Sequence, residues 1–443
     1  MKKTTNSLLT MNRNLITLLA LICCLCLNAQ TAMEDFKRDI TLSGDNYVAY
    51  RGPQKQLTAA PAGYEACYIS HYGRHGSRYL IGEKTYSHPY NVLKEANEAG
   101  MLTPKWQELM RILGIMKDNA AGHIEERTLL GAQQHHEIAT RMYDRFPTVF
   151  AGNTNVKANS SVVVRCILSM NNSLLALQSR NPSLTFRLDA SKGDMSYIHF
   201  NDKTLAGRKM PDGSEARKAY KEFEKQHINW VPFMNRIFKN EGYWRNTVKN
   251  PYQFYIDEVW KICSNMQSTE MRHTLSLYDY FTFDELYNIW LTRNANWYIT
   301  FGPSPLNGGT QIYSQRHLLR KIIEEADSSL ALPVPGATLR YGHEVCVLPL
   351  VCLLNLNGYG TQYNDLNDLE KNGWYDYRIF MMGSNVQFVF YRRDSADRDP
   401  LVKVLLNEDE ATLPQPLTPV TGPYYKWKDV REYYQKKLDE YKE

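Results

Sequence analysis

The stretch Glu65-Ala-Cys-Tyr-Ile-Ser-His-Tyr-Gly-Arg-His-Gly-Ser-Arg-Tyr-Leu-Ile-Gly82 joins a short apolar run to a turn crowded with cations. Residues 66–69 are compatible with a strand that is buried on both faces. We expect this strand to end near Tyr72-Gly73, so that residues 74–78, Arg-His-Gly-Ser-Arg, form the turn. The imidazole of His75 then lies between two guanidiniums, beside a glycine that lets the backbone approach a ligand closely.

This turn is suited to an anion. Two permanent cations oppose protonation of a histidine between them, unless an anion joins the group. Arginine matches phosphate oxygens in a bidentate way, and a neutral histidine can attack phosphorus through a ring nitrogen. The pattern therefore predicts a phosphohistidine enzyme. An isolated Arg-His-Gly is more often a solvated basic turn, so the hypothesis depends on partners elsewhere in the chain.

The turn also matches a known signature. Arg74, His75, Gly76 and Arg78 coincide with Arg-His-Gly-x-Arg-x-Pro, and the sequence thus resembles the histidine acid phosphatases, the second branch of the histidine phosphatase superfamily. Its proline is absent here. The tyrosine after the second arginine is similar to the multiple inositol polyphosphate phosphatases of that branch. The other branch, which includes the phosphoglycerate mutases, lacks the second arginine and fits less well.

A further cation follows another β-branched run. Residues 160–166, Ser-Ser-Val-Val-Val-Arg-Cys, are predicted to be a strand with Arg165 at its carboxyl end. Open α/β sheets keep their ligand groups at the carboxyl ends of strands. The family resemblance implies that Arg165 is the third arginine of a phosphate clamp. Without that resemblance, a surface ion pair is the ordinary explanation of such an arginine.

A third motif, Thr338-Leu-Arg-Tyr-Gly-His-Glu-Val345, precedes an apolar, helix-like run. It resembles the family's second signature, in which the histidine helps to bind the phosphoryl group and a neighbouring acid protonates the leaving oxygen. The resemblance assigns these roles to His343 and Glu344. Many secreted phosphatases have His-Asp here, whereas the inositol polyphosphate group has His-Ala-Glu, so the substrate class stays open. A structural role for Glu344 at a helix N-terminus is the alternative.

The resemblance implies a two-step phosphomonoesterase. His75 attacks phosphorus, and Glu344 protonates the departing alkoxide and then serves as base toward water. Neither a metal nor another cofactor is expected, because guanidiniums supply the charge that a metal cation otherwise would. The expected phosphate ligands are Arg74, Arg78, Arg165 and His343, with Lys84 as a candidate extra contact.

The substrate is the weaker inference. Resemblance at Tyr79 and at Phe146-Pro147 favours inositol polyphosphates such as phytate. A broad-specificity acid phosphatase acting on sugar phosphates or nucleotides is the near alternative. A phosphoester-binding protein that has lost turnover is the alternative from a different class. The formal charge of +5, which falls to +2 without the first 29 residues, does not indicate a nucleic acid partner.

The start of the chain predicts export. Lys2 and Lys3 precede an apolar run from Leu15 to Leu27, and cleavage is expected after Ala29. The run is too short to cross a membrane, and no other stretch is long enough, so no membrane span is expected. The predicted location is periplasmic or secreted. Of the eight cysteines, five lie beyond this signal, so at least one is unpaired; buried thiols are the usual explanation, although one bridge stays possible.

The predicted fold class is α/β. About 410 residues remain after the signal, more than one ordinary core holds, so we expect a large domain with an insertion. Residues 30–179 and 333–443 are assigned to a central, mostly parallel sheet flanked by helices. Residues 180–332, where helical patterns rich in aromatic side chains dominate, are assigned to an inserted α-helical cap. The oligomeric state is left open.

Overall fold

The computed structural model describes residues 31–199, 202–206 and 210–442. The predicted signal peptide, residues 1–29, therefore lies outside the described residues. In the described part of the chain, no helix is both long and apolar enough to cross a membrane.

A single sheet of eight strands lies at the centre of the described structure. The order across it is β3-β2-β4-β1-β5-β6-β7, and β8 also pairs with β6. The first four strands in this order run parallel, whereas β5 to β8 add in antiparallel fashion. The predicted α/β class with a largely parallel sheet is confirmed. The strands are β1 (Glu65–Arg74), β2 (Asn155–Ser160), β3 (Thr185–Asp189), β4 (Gly336–Gly342), β5 (Asn385–Arg392), β6 (Leu401–Leu406), β7 (Asp409–Glu410) and β8 (Tyr425–Lys426).

Helices cover both faces of the sheet and fill the long segment between β3 and β4. The α-helices are α1 (Ala32–Arg38), α2 (Glu83–Glu98), α3 (Pro104–Ala120), α4 (Leu129–Arg145), α5 (Val164–Arg180), α6 (Met195–Ile198), α7 (Lys203–Ala206), α8 (Glu215–His227), α9 (Val231–Ile237), α10 (Glu241–Thr247), α11 (Lys261–Met266), α12 (Phe283–Phe301), α13 (Arg316–Leu330), α14 (Glu344–Leu354), α15 (Asp368–Lys371), α16 (Asp376–Ile379) and α17 (Trp427–Glu440). A π-helix spans Gln253–Trp260, and short 3-10 helices span Ile40–Tyr47, Pro147–Phe150, Glu270–His273, Tyr278–Tyr280, Pro305–Asn307, Gln311–Gln315 and Leu356–Gly358.

The register of the central strands brings the two signature motifs together. β1 pairs with β4 in parallel, so that Arg74 lies opposite Gly342. Both strands therefore end at the same edge of the sheet, and the residues that follow them are neighbours. Strand β1 is the natural centre of this arrangement, because its last seven residues are buried between β4 and β5.

The second predicted strand is wrong in position. The β-branched run after Ser160 is not a strand: β2 ends at Ser160, and Val164 is the first residue of α5. The actual strand, Asn155–Ser160, contains polar residues whose side chains pair with residues that are distant in the sequence. Lys157 pairs with Glu325, and the Asn159 amide donates to Asp194. These tertiary contacts outweigh the local β propensity of the valines.

The boundaries of the cap stay a prediction, but one strand falls inside its range. β3 lies beyond residue 180 and pairs with β2 in the central sheet, so the sheet continues further along the chain than the sequence indicated. Near the carboxyl end, β5 and β6 form an antiparallel pair, and α17 is the final helix. All five described cysteines carry free thiols, and four of them are buried.

Candidate active site

The candidate site lies where β1 and β4 end. The backbone N–H of His75 donates to the Gly342 carbonyl at 2.9 Å, and that of Arg74 donates to Ser384 at 2.8 Å. These bonds fix the first turn after β1 against the ends of its two neighbouring strands. The side chains of the first motif are consequently placed by sheet backbone rather than by a loose loop.

His75 is fully buried and is held in one tautomer. Its Nδ1 lies 2.9 Å from the Gly76 carbonyl, which can only accept, so Nδ1 carries the proton. The Nε2 atom has no hydrogen-bond partner within the described protein. Burial, and then the charge of Arg74, hold the pKa of His75 well below its usual range. The ring is therefore neutral, and Nε2 offers a lone pair.

Arg74 combines a fixed position with unused donors. One terminal nitrogen, Nη1, donates to the carbonyls of Asn46 at 2.7 Å and Phe380 at 2.8 Å. The other, Nη2, is buried without a hydrogen-bond partner in the described structure. Burial lowers the pKa of Arg74 to about 10, so the guanidinium stays charged in neutral and acid solution. It can hold an anion in front of His75.

Two more guanidiniums complete the positive surface. Arg78 is buried, donates to the Tyr79 carbonyl at 2.9 Å and leaves its Nε unpartnered among the described groups. Arg165 lies in the first turn of α5, not at a strand end as predicted, and its Nε is likewise unpartnered. Its Nη1 lies 3.2 Å from a carboxylate oxygen of Glu125. The charges of both arginines help to keep His75 neutral.

His343 faces His75 from the end of β4. The two ring centroids are 5.7 Å apart, in an edge-to-face arrangement. The Nε2 atom of His343 lies 3.0 Å from the Ser161 hydroxyl, and the ring of His199 covers it at 4.2 Å between centroids. Burial, and then the neighbouring His199, lower the pKa of His343 to about 3. His343 is thus a neutral side chain that can donate or accept a hydrogen bond.

Glu344 begins α14 and points at the same centre. Its Oε2 lies 3.1 Å from Arg74 Nε and 3.7 Å from His75 Nε2. Burial favours the neutral acid, but the charges of Arg74 and Arg78 outweigh it and hold the pKa of Glu344 well below its usual range. Glu344 is therefore a carboxylate in the free site. A phosphate among the same cations adds negative charge and shifts that pKa upward.

The loop that carries the motif packs closely on α4. A Cβ atom added to Gly76 would lie 2.4 Å from the Gly131 carbonyl oxygen, and one added to Gly131 would lie 2.3 Å from that of Ser77. Such distances leave no room for any side chain at either position. Gln134, further along α4, accepts from Ser77 N–H at 2.8 Å. The helix and the loop thus form one unit.

The structure brings six of the seven predicted site residues together. They are Arg74, His75, Arg78, Arg165, His343 and Glu344. Lys84 is apart from them: it is exposed in the first turn of α2, and no hydrogen bond or ion pair of the described residues joins it to the site. Its role as a phosphate contact stays a prediction.

Sequence reasoning missed several contributors. Ser161 and His199 flank His343, and the Ser169 hydroxyl accepts from Gly76 N–H at 3.1 Å. Ser161 and Ser169 lie on either side of Arg165, so a search for hydroxyls near that arginine could have found them. His199 carries no sequence signal, because only the fold places it over His343.

One group in the described part of the chain has the donors to hold a metal. The ligand atoms of His75, His343 and Glu344 lie within 4.8 Å of one another. The surrounding guanidiniums repel a cation at this position and attract an anion. The donor set as a whole therefore fits a phosphate better than a metal ion.

Comparison with known proteins identifies the family. The model of the histidine phosphatase superfamily (branch 2) matches residues 73–407, which include every residue of the site. The chain belongs to branch 2 of this superfamily. The resemblance inferred from the Arg-His-Gly turn is thereby confirmed, and the protein is a phosphomonoesterase of the histidine acid phosphatase type. None of the curated proteins matches this branch 2 phosphatase by sequence.

Solved structures share its fold at low sequence identity. The multiple inositol polyphosphate phosphatase of Bifidobacterium longum in complex with phosphate is 18% identical, with a TM-score of 0.76 over 89% of this chain and 98% of that one. The same enzyme in complex with inositol hexasulfate is 19% identical, with a TM-score of 0.67 over 88% of this chain and 97% of that one. The phytase from D. castellii is 13% identical, with a TM-score of 0.61 over 90% of this chain and 86% of that one. At these identities, the likeness concerns the fold.

Proposed function

We propose that this branch 2 phosphatase hydrolyses inositol polyphosphates such as phytate, through a phosphohistidine formed on His75, and that it acts in the periplasm or outside the cell. The observation that carries the chemistry is the convergence of unused, buried nitrogen atoms around one neutral imidazole. These atoms are Arg74 Nη2, His75 Nε2, Arg78 Nε and Arg165 Nε. Buried polar groups without partners are rare. A phosphoryl group supplies oxygen acceptors for the arginine N–H groups, and its phosphorus is open to attack by the lone pair of His75 Nε2.

In the first step, His75 Nε2 attacks phosphorus as the bond to the ester oxygen breaks. The Gly76 carbonyl holds the Nδ1 proton, which fixes the ring and favours the developing positive charge. The guanidiniums stabilise the equatorial oxygens, where the charge of a loose transition state spreads. Because these donors are already in place, they need little reorganisation during the reaction.

Glu344 supplies the proton to the leaving oxygen. It starts as a carboxylate, so it must gain a proton when the substrate binds. A phosphomonoester with a second pKa near 6 carries that proton into the site in acid solution. After the alcohol leaves, the carboxylate is again a base and can take a proton from the water that attacks the phosphohistidine. This sequence favours turnover below about pH 6.

The inositol polyphosphate assignment is supported by the tyrosine that follows the second arginine and by the structural likeness to an enzyme named for that substrate class. One observation favours simpler esters instead. Val162 and Val164, which come shortly before Arg165 in the sequence, are 42% and 65% exposed. Aliphatic side chains give little to a polyanion, whereas they can pack against an apolar leaving group.

The test measures phosphate release by the purified protein from phytate and from simple phosphomonoesters, across acid to neutral pH and with chelator present. A preference for phytate in kcat/KM supports the proposal. Equal or faster turnover of simple esters supports the broad-specificity alternative and leaves the chemistry intact. Quenching with an alkaline denaturant during turnover of phosphate-labelled substrate should trap a protein-bound phosphate that is stable in base and lost in acid. Its absence from a His75→Ala protein assigns it to that residue.

Lys84 provides a sharper test of the polyphosphate assignment. If it contacts a second phosphate, Lys84→Gln raises KM for phytate and leaves KM for a simple monoester unchanged. Lys94→Gln, on the same helix and also exposed, is the matched control. Equal effects of the two substitutions on phytate would remove Lys84 from the site.

A further inference from the structure

The outer edge of β3 is open in the described structure. β3 is the last strand of the sheet on this side, and β2 is its one partner among the described strands. Four of its five residues are exposed. We propose that this edge pairs with the same edge of a second copy of the chain, so that the two sheets continue into one across a two-fold axis.

The backbone direction selects the residue at the centre of such a pair. Thr185 N–H donates to the Thr154 carbonyl, so the backbone of Thr185 faces β2. Backbone groups alternate in direction along a strand, and those of Phe186 and Leu188 therefore face outward. In an antiparallel pair of identical strands, a residue on the axis exchanges both hydrogen bonds with its own copy. Leu188 is outward-facing and meets this requirement.

The charges on β3 agree with the same register. With Leu188 opposite Leu188, each Arg187 lies opposite an Asp189 of the second copy, on one face of the joined sheet. In the described structure, neither side chain forms an ion pair or a hydrogen bond, and both are exposed. A register shifted to centre on Arg187 would place the two arginines opposite each other. The charges of Arg187 and Asp189 and the direction of the backbone groups therefore favour the same register, which is centred on Leu188.

Apolar surface on the other face supports the pairing. Phe186 packs against the core cluster that contains Leu174 and Leu177 of α5. Leu188 is two residues further along the strand, so it lies on the same face as Phe186, and it is 53% exposed. Two leucines of α5 are exposed as well.

Those two leucines, Leu168 and Leu175, are 38% and 62% exposed and recur at helical spacing. A two-fold axis perpendicular to the sheet brings α5 and its copy together on that face, above the joined strands. The second copy then covers the leucines. Solvent-exposed edge strands usually avoid association through short length and charges that repel. β3 is short, but its charges attract under this symmetry.

The test is the oligomeric state of the purified protein, measured by sedimentation velocity across the micromolar range. We expect a dimer in rapid equilibrium with monomer. Arg187→Asp places like charges opposite each other at two symmetric positions and should raise the dimer dissociation constant about tenfold or more. Combining Arg187→Asp with Asp189→Arg restores both pairs with reversed sign and should recover dimerisation.

The matched control is Arg398→Asp, an exposed arginine between β5 and β6 on the opposite side of the sheet from β3, which should leave the dissociation constant unchanged. Activity on a simple monoester and the thermal midpoint report that each variant is folded. A wild-type protein that is monomeric throughout the concentration range overturns the proposal. So does a dimer that Arg187→Asp does not weaken, or one that the double substitution fails to restore.

Discussion

The phosphate site has two halves that are held in different ways. The inner half, Arg74, His75, Arg78 and Glu344, follows the buried ends of β1 and β4. The carbonyls of Gly342 and Ser384 fix its backbone, and those of Asn46 and Phe380 hold the Arg74 guanidinium. The outer half is Arg165, in the first turn of α5, and Lys84, in the first turn of α2, is the predicted addition to it. Arg165 is paired with an exposed glutamate, and Lys84 is solvated. The inner half is therefore fixed by contacts with the fold, whereas the outer half has few such contacts.

Within the inner half, removal of the nucleophile His75 should have the largest effect on turnover. His75→Ala should lower kcat by about 10⁴-fold or more, because no other side chain in the described site offers an unbonded ring nitrogen to the phosphoryl position. Phosphate release from a simple monoester measures this effect. His136→Ala, an exposed histidine on α4, should retain wild-type turnover. Comparable turnover by His75→Ala would end the phosphohistidine mechanism.

A smaller effect separates proton donation from phosphate binding within the inner half. Glu344→Gln should lower kcat by about 10² to 10⁴ for alkyl phosphates, whose leaving oxygen needs a proton. Aryl phosphates with acidic leaving groups should lose far less. A Brønsted plot of log kcat against leaving-group pKa checks the prediction, since the variant should show the steeper slope. Parallel plots for the two proteins would show that another group is the donor.

The buried histidines near the inner half should make the fold sensitive to acid. His71, His135 and His343 each have a pKa of about 3 in the native state, where burial is the main cause, against about 6.5 when unfolded. The unfolded chain therefore binds more protons below pH 6.5. The contribution of each neutral histidine to the free energy of unfolding is fully present above that pH and is lost as the pH falls. At pH 5 the loss is about 2 kcal/mol for each histidine.

Urea unfolding at pH 7 and pH 5 measures this loss. His135→Gln removes one titrating group, so its free energy of unfolding should fall less between the two pH values than that of the wild type. Each protein is compared with itself, by the change in its free energy of unfolding between pH 7 and pH 5. A variant that is less stable at pH 7 therefore does not affect the comparison. An unchanged pH dependence would mean that the pKa of His135 is the same in the native and the unfolded state.

Substitutions in the outer half should change phosphate binding only weakly. Glu125→Gln removes the carboxylate that competes with phosphate for Arg165, and an exposed ion pair of this kind is worth little. Inorganic phosphate should consequently inhibit about two- to fivefold more tightly. Glu126→Gln is a matched control, because Glu126 is equally exposed and pairs with His123 instead. Equal effects of both variants would show that only overall charge matters.

The same division explains what could be predicted from sequence. β1 and the turn after it combine an apolar run, a break and a dense motif, so local pattern and tertiary structure agree. Residues 160–166 break that agreement, because Val162 and Val164 have strand propensity but are exposed, and the real strand precedes them. The family resemblance assigns Arg165 to the site correctly, although the predicted strand around it is a helix.

Other contributors could not be predicted because no local pattern marks them. His199 lies 144 residues before His343 in the chain, and the fold alone stacks their rings. The polar side chains of β2 look unfit for a central strand until Glu325 and Asp194 are brought beside them. Hydrogen bonds between distant segments leave no periodicity in either segment.

The contact between Gly76 and Gly131 sets a limit on how this catalytic turn can be transplanted. Neither glycine tolerates a Cβ atom, since each backbone fills the space beside the other. The smallest unit that can be transferred to another protein is therefore the turn, residues 74–78, together with the beginning of α4. Grafting Arg-His-Gly-Ser-Arg onto another parallel sheet should fail unless the recipient also presents a glycine on a helix at this distance, and a search for new enzymes of this kind gains specificity by requiring both glycines at once.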